Sequence, residues 1–545
     1  MRFSAALLVI TLCATPACAQ PAPPRPASQP ALIIALSIDQ LSSDLFDEYR
    51  PVLLGGIGRL SRGTAFRNGY QGHNASETCP GHSTIMSGSR PSRTGIIANY
   101  WFDLNQTRSD KGVYCSEDER VAGSSSTAYT VSPYHLRVPT LGDRWKALHP
   151  AARNVAVAGK DRSAVMMSGR AADQRWYWDG KTFATDVKGA PIPLSVTSAR
   201  GAITNAIAEA RPALQMPALC AKKARVVPIE GGGPPVGGGA FARKAGDIRA
   251  FRNSPEFDGA TLALAASLIE EMKLGRGADT DIISIGLAGT DFVGHSFGTQ
   301  GAEMCLQMFS LDRDLGDFFK YLDAKGIDYL VMLTADHGGQ DIPERKRLQG
   351  VPGAARTPAA LSATEMGKAL AVQLKLKGPV LYGDGSFGDM YVDRTLSAGD
   401  RAKATAAAIA AYRASPMVEA VFTHAQILAT PSPTASPDKW SLIERARASF
   451  DDQRSGDFLV MLKRDITPIA DTRAYVATHG SPWDYDRRVP ILFWRRGMAP
   501  SDRAEAIETA DIMPTLAATL GLAVDPRSID GKCLAGIQGI SCPAR

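Results

Sequence analysis

The sequence predicts an α/β fold, with a central, mostly parallel sheet covered by helices on both faces and interrupted by surface insertions. Three observations carry that expectation. Short apolar runs end abruptly in polar residues, segments with helical spacing lie between them, and no internal repeat is present.

The runs are Leu32 to Ile38 before Asp39, Asn154 to Ala158 before Lys160, Ile282 to Leu287 before Asp291, and Tyr329 to Leu333 before Asp336. Unbroken apolar runs of this length suit strands buried on both faces, as parallel strands are. Leu262 to Met272 and Met304 to Leu322 carry helical spacing, which completes the alternation of strand and helix. Ligands of such sheets bind beyond the carboxyl ends of the strands, where each run places an Asp or a Lys.

The chain ahead of this frame has its own logic. Arg2, the apolar run Ala5 to Leu12, Pro16 and Ala17-Cys18-Ala19 predict a cleaved signal peptide over 1–19. Thr15 stands where a lipoprotein signal has Leu, so Cys18 is not expected to carry a lipid. Residues 20–30 form a Pro- and Ala-rich tether, and the catalytic domain is expected over 31–545. Insertions are expected near 170–255, around the Gly-rich stretch Gly231 to Gly239, and over 351–437. The second reads as an α+β unit: helix Leu361 to Leu374, strands Val380 to Leu381 and Asp389 to Val392, helix Arg401 to Ala414, and strand Val418 to Phe422. Core strands are expected to resume at Phe458 to Leu462 and Val489 to Trp494.

A chain of 545 residues exceeds one hydrophobic core, which fits one large domain with insertions or two joined domains. The net charge of +6 is small and its Lys and Arg are scattered, so a nucleic-acid grip is not implied. No stretch after the signal reaches the roughly 20 apolar residues of a membrane span. A periplasmic or secreted monomer acting on small molecules is expected. Cys533 and Cys542 flank a short Gly- and Ile-rich loop and should bridge, while pairing among Cys79, Cys115, Cys220 and Cys305 stays open.

The chemistry concentrates at the strand ends. Thr334-Ala335-Asp336-His337-Gly338-Gly339 follows one run, and Gly289-Thr290-Asp291-Phe292-Val293-Gly294-His295 follows another, its Asp and His four apart. On a helical turn those two face the same way. Asp39 and His479 complete a set of three carboxylates and three imidazoles, the mixed O and N ligands that suit zinc. Taken singly, each acid could be a helix cap or a solvated turn, and each histidine a satisfied core residue. Only eight histidines exist, and three lie in Gly-flanked turns near strands. His73, His135, His149 and His424 lack such settings and read as structural.

A candidate nucleophile lies in Ser76-Glu77-Thr78-Cys79-Pro80-Gly81-His82-Ser83-Thr84. Pro80 and Gly81 predict a turn, and a helix from Ser83 to Met86 would aim its amides at the same point. A hydroxyl against a metal ionises near neutral pH; equally, Thr78 could simply cap that helix.

In this order Asp39, Thr78 to His82, Asn99, Lys160-Asp161-Arg162, Asp291 to His295, Asp336-His337 and His479 resemble a known family. It is the single-chain bacterial alkaline phosphatases with a threonine nucleophile, the PhoK and PafA type, within the alkaline phosphatase superfamily. The resemblance implies an alkaline-phosphatase-like sandwich, two zinc ions per chain and broad hydrolysis of phosphate monoesters through a phosphothreonine. It implies that Asp291, His295 and His479 hold one zinc, and that Asp39, Asp336 and His337 hold the other, which also touches Thr78. Asn99, Lys160 and Arg162 would grip the phosphoryl oxygens. No acid pair replaces the magnesium site of the dimeric serine enzymes. A phosphodiesterase or nucleotide pyrophosphatase of the same fold remains the alternative, although such enzymes usually lack the Lys160 and Arg162 pair. A sulfatase is disfavoured by the residues after Cys79, and a metal-binding protein without turnover stays open.

Overall fold

Alternate residues of strand β1 (Leu32–Ile38) point to opposite sides, and both sides are buried. Leu32, Ile34, Leu36 and Ile38 belong to one core, together with Leu311, Leu315 and Phe319. Ile33 and Ala35 belong to the other, with Ile85, Met86, Ile512 and Leu516. This strand is therefore apolar but for Ser37, because helices cover both of its faces. The computed structural model describes residues 25–26 and 28–543, so the expected signal peptide and the start of the tether lie outside the described residues.

Eight further strands extend the main sheet: β2 (Thr64–Tyr70), β3 (Asn154–Ala158), β4 (Gln174–Trp178), β5 (Phe183–Ala184), β6 (Asp281–Leu287), β7 (Tyr329–Thr334), β8 (Arg488–Arg495) and β9 (Ser501–Arg503). Their order is β9-β2-β8-β7-β1-β6-β3-β4-β5, and the short strand Ile507–Glu508 also pairs with β2. The strands β7, β1, β6, β3 and β4 are parallel. Because β8 is antiparallel to both β7 and β2, β2 points the same way as the parallel set. The carboxyl ends of β1, β2, β3, β6 and β7 and the amino end of β8 thus share one edge, and every candidate site residue but Asn99 lies on a segment that leaves or enters a strand at that edge.

Two expectations need correction. Phe458–Leu462 does not return to the main sheet. It pairs with Gly388–Val392 and Val418–Thr423 in a separate sheet of four strands, whose own core includes Leu370, Tyr412, Val460 and Leu462. An apolar run reports that both faces are covered, not which sheet covers its edges. Conversely β4 lies within the stretch read as an insertion, yet it is fully buried and pairs in parallel with β3. Its Gln and Arg concealed a core strand; Arg175 is buried by an ion pair with Asp186 at 2.8 Å.

Among the described residues, no helix is long and apolar enough to cross a membrane. Among the described residues three disulfides form, Cys533–Cys542 as expected, together with Cys79–Cys115 and Cys220–Cys305. Cys220–Cys305 fastens the 170–255 segment to the long helix Ala302–Ala324. Non-reducing peptide mapping should recover these three pairs. Replacing Cys220 and Cys305 together by Ser should lower the unfolding free energy by about 2–4 kcal/mol, and an unchanged denaturation midpoint would contradict the role given to that bridge.

Candidate active site

Each strand end delivers its side chain by a short, forced path. Asp39 leaves β1 in a turn whose amide donates to Leu287 O at 2.9 Å, which holds it against β6. Beyond β6 the helix α1 (Gly289–Phe297) carries Asp291 and His295 one turn apart, so both face one point. Asp336 and His337 leave β7 directly. All of Asp39, Asp291, Asp336 and His337 are at most 2 % exposed.

The imidazoles show what this cluster lacks. The Nδ1 of His295 faces Ala477 O at 2.8 Å, that of His337 faces Gly338 O at 2.8 Å, and that of His479 faces Ser76 O at 2.9 Å. A carbonyl only accepts, so each Nδ1 carries a proton and Nε2 is the nitrogen turned toward the carboxylates. Those Nε2 atoms face carboxylates: His295 and His479 lie 3.2 and 3.3 Å from Asp291 Oδ1, and His337 lies 3.3 Å from Asp39 Oδ1 and 3.4 Å from Asp336 Oδ2. Lone pair against anion at that distance repels unless a cation lies between them. Protons cannot serve all three, since the rings of His337 and His479 stack 3.6 Å apart. Burial, and then the neighbouring His337, push His479 down to about 3. Asp39 Oδ1, Asp291 Oδ1, Asp336 Oδ2 and His337 Nε2 are buried without a hydrogen-bond partner. Carboxylate and imidazole donors with their Nδ1 hydrogens tied to the backbone fit divalent ions such as zinc.

A third cluster behaves differently. Glu117, Glu119 and His135 also converge, but Arg454 approaches His135 Nδ1 at 3.4 Å and Glu119 lies 2.9 Å from Nε2. Arginine can only donate, so Nδ1 accepts, while Nε2 meets Glu119 as an ion-pair contact whose two atoms lack a well-directed hydrogen bond. The Arg454 charge beside the ring opposes a cation there. His149 and His424 likewise each pair with one carboxylate, Asp279 and Asp452.

Thr78 stands at the first position of a buried helix, α2 (Thr78–Ser87), whose N-cap is Glu77. The structure therefore corrects two readings. Thr78 is not the cap, and Pro80 and Gly81 lie inside the helix rather than in a turn before it. Proline is tolerated there because a first-turn amide needs no helical partner. Lys160 Nζ lies 3.3 Å from Thr78 Oγ1, and Arg162 Nη2 lies 3.5 Å from it. Lys160 also reaches Asp39 at 2.7 Å and Asp291 at 2.6 Å. Burial opposes its charge, but Asp291 and then Asp39 outweigh that and hold its pKa above the usual lysine value. Three carboxylates against two basic side chains still leave excess negative charge, which would repel a phosphate dianion in the absence of further cations.

Asn99 is oriented by its neighbours. Its Oδ1 accepts from Cys79 N at 2.8 Å and its backbone N–H donates to Glu77 Oε2 at 2.6 Å, which leaves the Nδ2 hydrogens for the cavity. That cavity, about 430 Å³, is lined by Glu77, Asn99, Arg162, His295 and His479 together with the rings of Tyr100, Phe387 and Tyr475.

Several residues at this site escaped the sequence reading. Tyr114 donates to Asp161 at 2.6 Å and receives Arg162 at 3.3 Å, so it aims the guanidinium. His82 Nδ1 lies 2.9 Å from Thr78 O and 3.2 Å from Asp336 Oδ2, linking the helix to the ligand set. Its spacing of four from Thr78 on a helix was the available signal; Tyr114 had none beyond its neighbour Cys115.

Gly81 makes the contact between α2 and the β7 exit. A Cβ there would stand 2.0 Å from Asp336 O. Gly81→Ala should therefore push Thr78 and Asp336 apart and lower kcat by about a hundredfold, the usual cost of a misplacement near 1 Å. Unchanged kcat in a folded variant would contradict this geometry.

Comparison with known proteins agrees with the arrangement. Residues 33–482 match the family described as Type I phosphodiesterase / nucleotide pyrophosphatase. The chain is 52% identical over 518 residues to alkaline phosphatase PhoK from Sphingomonas sp, covering 94% of this chain and 92% of that protein. It is 44% identical over 527 residues to alkaline phosphatase PhoD from Zymomonas mobilis, covering 96% and 91%. In fold it resembles the crystal structure of alkaline phosphatase PafA, with a TM-score of 0.78 at 24% identity over 92% of this chain and 97% of that one. The chain therefore belongs to the alkaline phosphatase superfamily, within the Type I phosphodiesterase / nucleotide pyrophosphatase family, as an enzyme of the PhoK and PafA kind.

Proposed function

We propose that this enzyme hydrolyses phosphate monoesters of broad structure through a phosphothreonine at Thr78, that it uses two zinc ions, and that it acts in the periplasm or outside the cell. The observation that carries the reading is the setting of Thr78. Its hydroxyl is buried, stands within 3.5 Å of Lys160 and Arg162, and belongs to the helix that Gly81 seats against Asp336. PhoK and PhoD, named as alkaline phosphatases, support the monoesterase activity. The leader-like 1–19 segment and the disulfides support export.

Asp291, His295 and His479 would hold one ion, and Asp39, Asp336 and His337 the other, with Thr78 beside it. Bound there, such ions lower the pKa of a hydroxyl and offset phosphoryl charge. The chain's own part is positioning. Thr78 Oγ gives up its proton to solvent and forms the bond to phosphorus as the bond to the leaving oxygen breaks, and that oxygen takes a proton from solvent and departs as an alcohol. Water then cleaves the phosphothreonine, releasing inorganic phosphate and restoring the hydroxyl. Arg162, held by Tyr114, and Asn99, held by Cys79 N, donate to the non-bridging oxygens, while Lys160 adds charge beside Thr78.

The family description also covers phosphodiesterases, so the two readings must be separated by substrate. A monoester presents two charges and three free oxygens, whereas a diester presents one charge and a second substituent. Charge-assisted bonds from Lys160 and Arg162 therefore favour the monoester. With an aryl phosphate and its methyl ester, Lys160→Ala, Arg162→Ala should lower monoester kcat/KM by about a hundredfold, or 2.7 kcal/mol, and barely alter the diester. Equal losses, or a native preference for the diester, would support the phosphodiesterase reading instead. Thr78→Ala should abolish turnover while Thr78→Ser keeps a substantial part, and acid-quenched phosphoprotein should map to Thr78. Label at any other residue would overturn the nucleophile.

A further inference from the structure

We infer that Gln40 is a positioning residue that sets the spacing between the two ligand groups, an inference that rests on the two-ion reading above. Gln40 has φ 67°, a left-handed conformation that costs a side-chain-bearing residue about 1 kcal/mol and that glycine adopts freely. A glutamine nonetheless stands there, 2 % exposed, its Oε1 without a hydrogen-bond partner. Neither backbone ease nor a hydrogen bond at Oε1 accounts for it. Strain kept at such a position points to what the side chain does.

The side chain lies between two glycines. A Cβ on Gly294, within α1 and next to His295, would stand 1.6 Å from Gln40 Oε1. A Cβ on Gly339, two residues after His337, would stand 2.8 Å from Gln40 Cγ and Cδ. The Gln40 amide N–H reaches Asp336 Oδ1 at 3.2 Å, and the preceding residue is Asp39.

The sheet explains why a filler is needed. Strand β1 pairs with β6 on one side and β7 on the other. The loops leaving β6 and β7, which carry Asp291 with His295 and Asp336 with His337, are therefore two strand spacings apart, about 10 Å. Residue 40, just past the end of β1, stands between them. Gln40 is the wedge in that gap, and the two glycines are the surfaces that receive it. A packed wedge transmits position because protein interiors close over voids only partly.

The test uses metal affinity. Apoprotein of the wild type, Gln40→Ala, Gln40→Met and Gly294→Ala is titrated with zinc against a chromogenic chelator, and the apo thermal midpoint is recorded for each. The wild type should take up two ions. Gln40→Ala and Gly294→Ala should each weaken at least one ion by 10–100-fold, the usual effect of residues supporting a ligand shell. Gln40→Met, of similar length and volume, should stay within about threefold of wild type. Because both residues act on one gap, the Gln40→Ala, Gly294→Ala double variant should be no weaker than the worse single. Two ions bound as tightly by Gln40→Ala as by wild type, losses that add, or a Gln40→Met as weak as Gln40→Ala would overturn the inference. Fewer than two ions on the wild type would overturn the two-ion reading with it. If Gln40→Ala fails to fold, Gly294→Ala and Gln40→Met decide the matter alone.

Discussion

Three imidazole nitrogens turned by backbone carbonyls to face carboxylates are the constraint around which this molecule is organised. The cluster is unfavourable as it stands, because lone pairs and negative oxygens meet at 3.2–3.4 Å in a buried space. Leaving charges so placed without partners costs several kcal/mol each in a protein interior. Lys160 compensates part of that charge, and on the two-ion reading divalent metals compensate the rest. With such ions bound the net charge of the site would turn positive and draw in a phosphate dianion.

The sheet is the instrument that assembles this arrangement. Parallel strands send their carboxyl ends to one edge, so residues more than 290 positions apart in sequence, such as Asp39 and Asp336, become neighbours without long excursions. The antiparallel β8 brings the His479 loop to that edge from its amino end. The disulfide Cys79–Cys115 performs the matching task around Thr78: it holds Cys79, next to Thr78, close to Tyr114, which contacts Arg162. The separate four-stranded lobe contributes Phe387, Tyr391 and Asp389 to the cavity wall, opposite in origin to the side chains delivered by the main sheet.

Much of this was legible in the sequence for a physical reason. Asp39, Asp291 and Asp336 each end an unbroken apolar run, and such runs announce buried parallel strands whose ends are ligand sites. His479 follows no strand; it stood out because so few histidines exist. What was hidden depends on contacts that have no local pattern. Gln40 matters through two distant glycines, and Tyr114 through a cysteine neighbour. Phe458–Leu462 reads like any buried strand, and β4 hides its burial behind an arginine that is neutralised by Asp186. Pro80 misled because it looks like a turn residue, whereas the first turn of a helix accepts it.

The central claim is that the ligand cluster is built for two cations. It is tested most directly by diffraction from crystals grown with zinc, measured on both sides of the zinc absorption edge. The account predicts two anomalous peaks per chain, one among Asp39, Asp336 and His337 and one among Asp291, His295 and His479. A single peak, or none, with Lys160 Nζ still between Asp39 and Asp291, would contradict it.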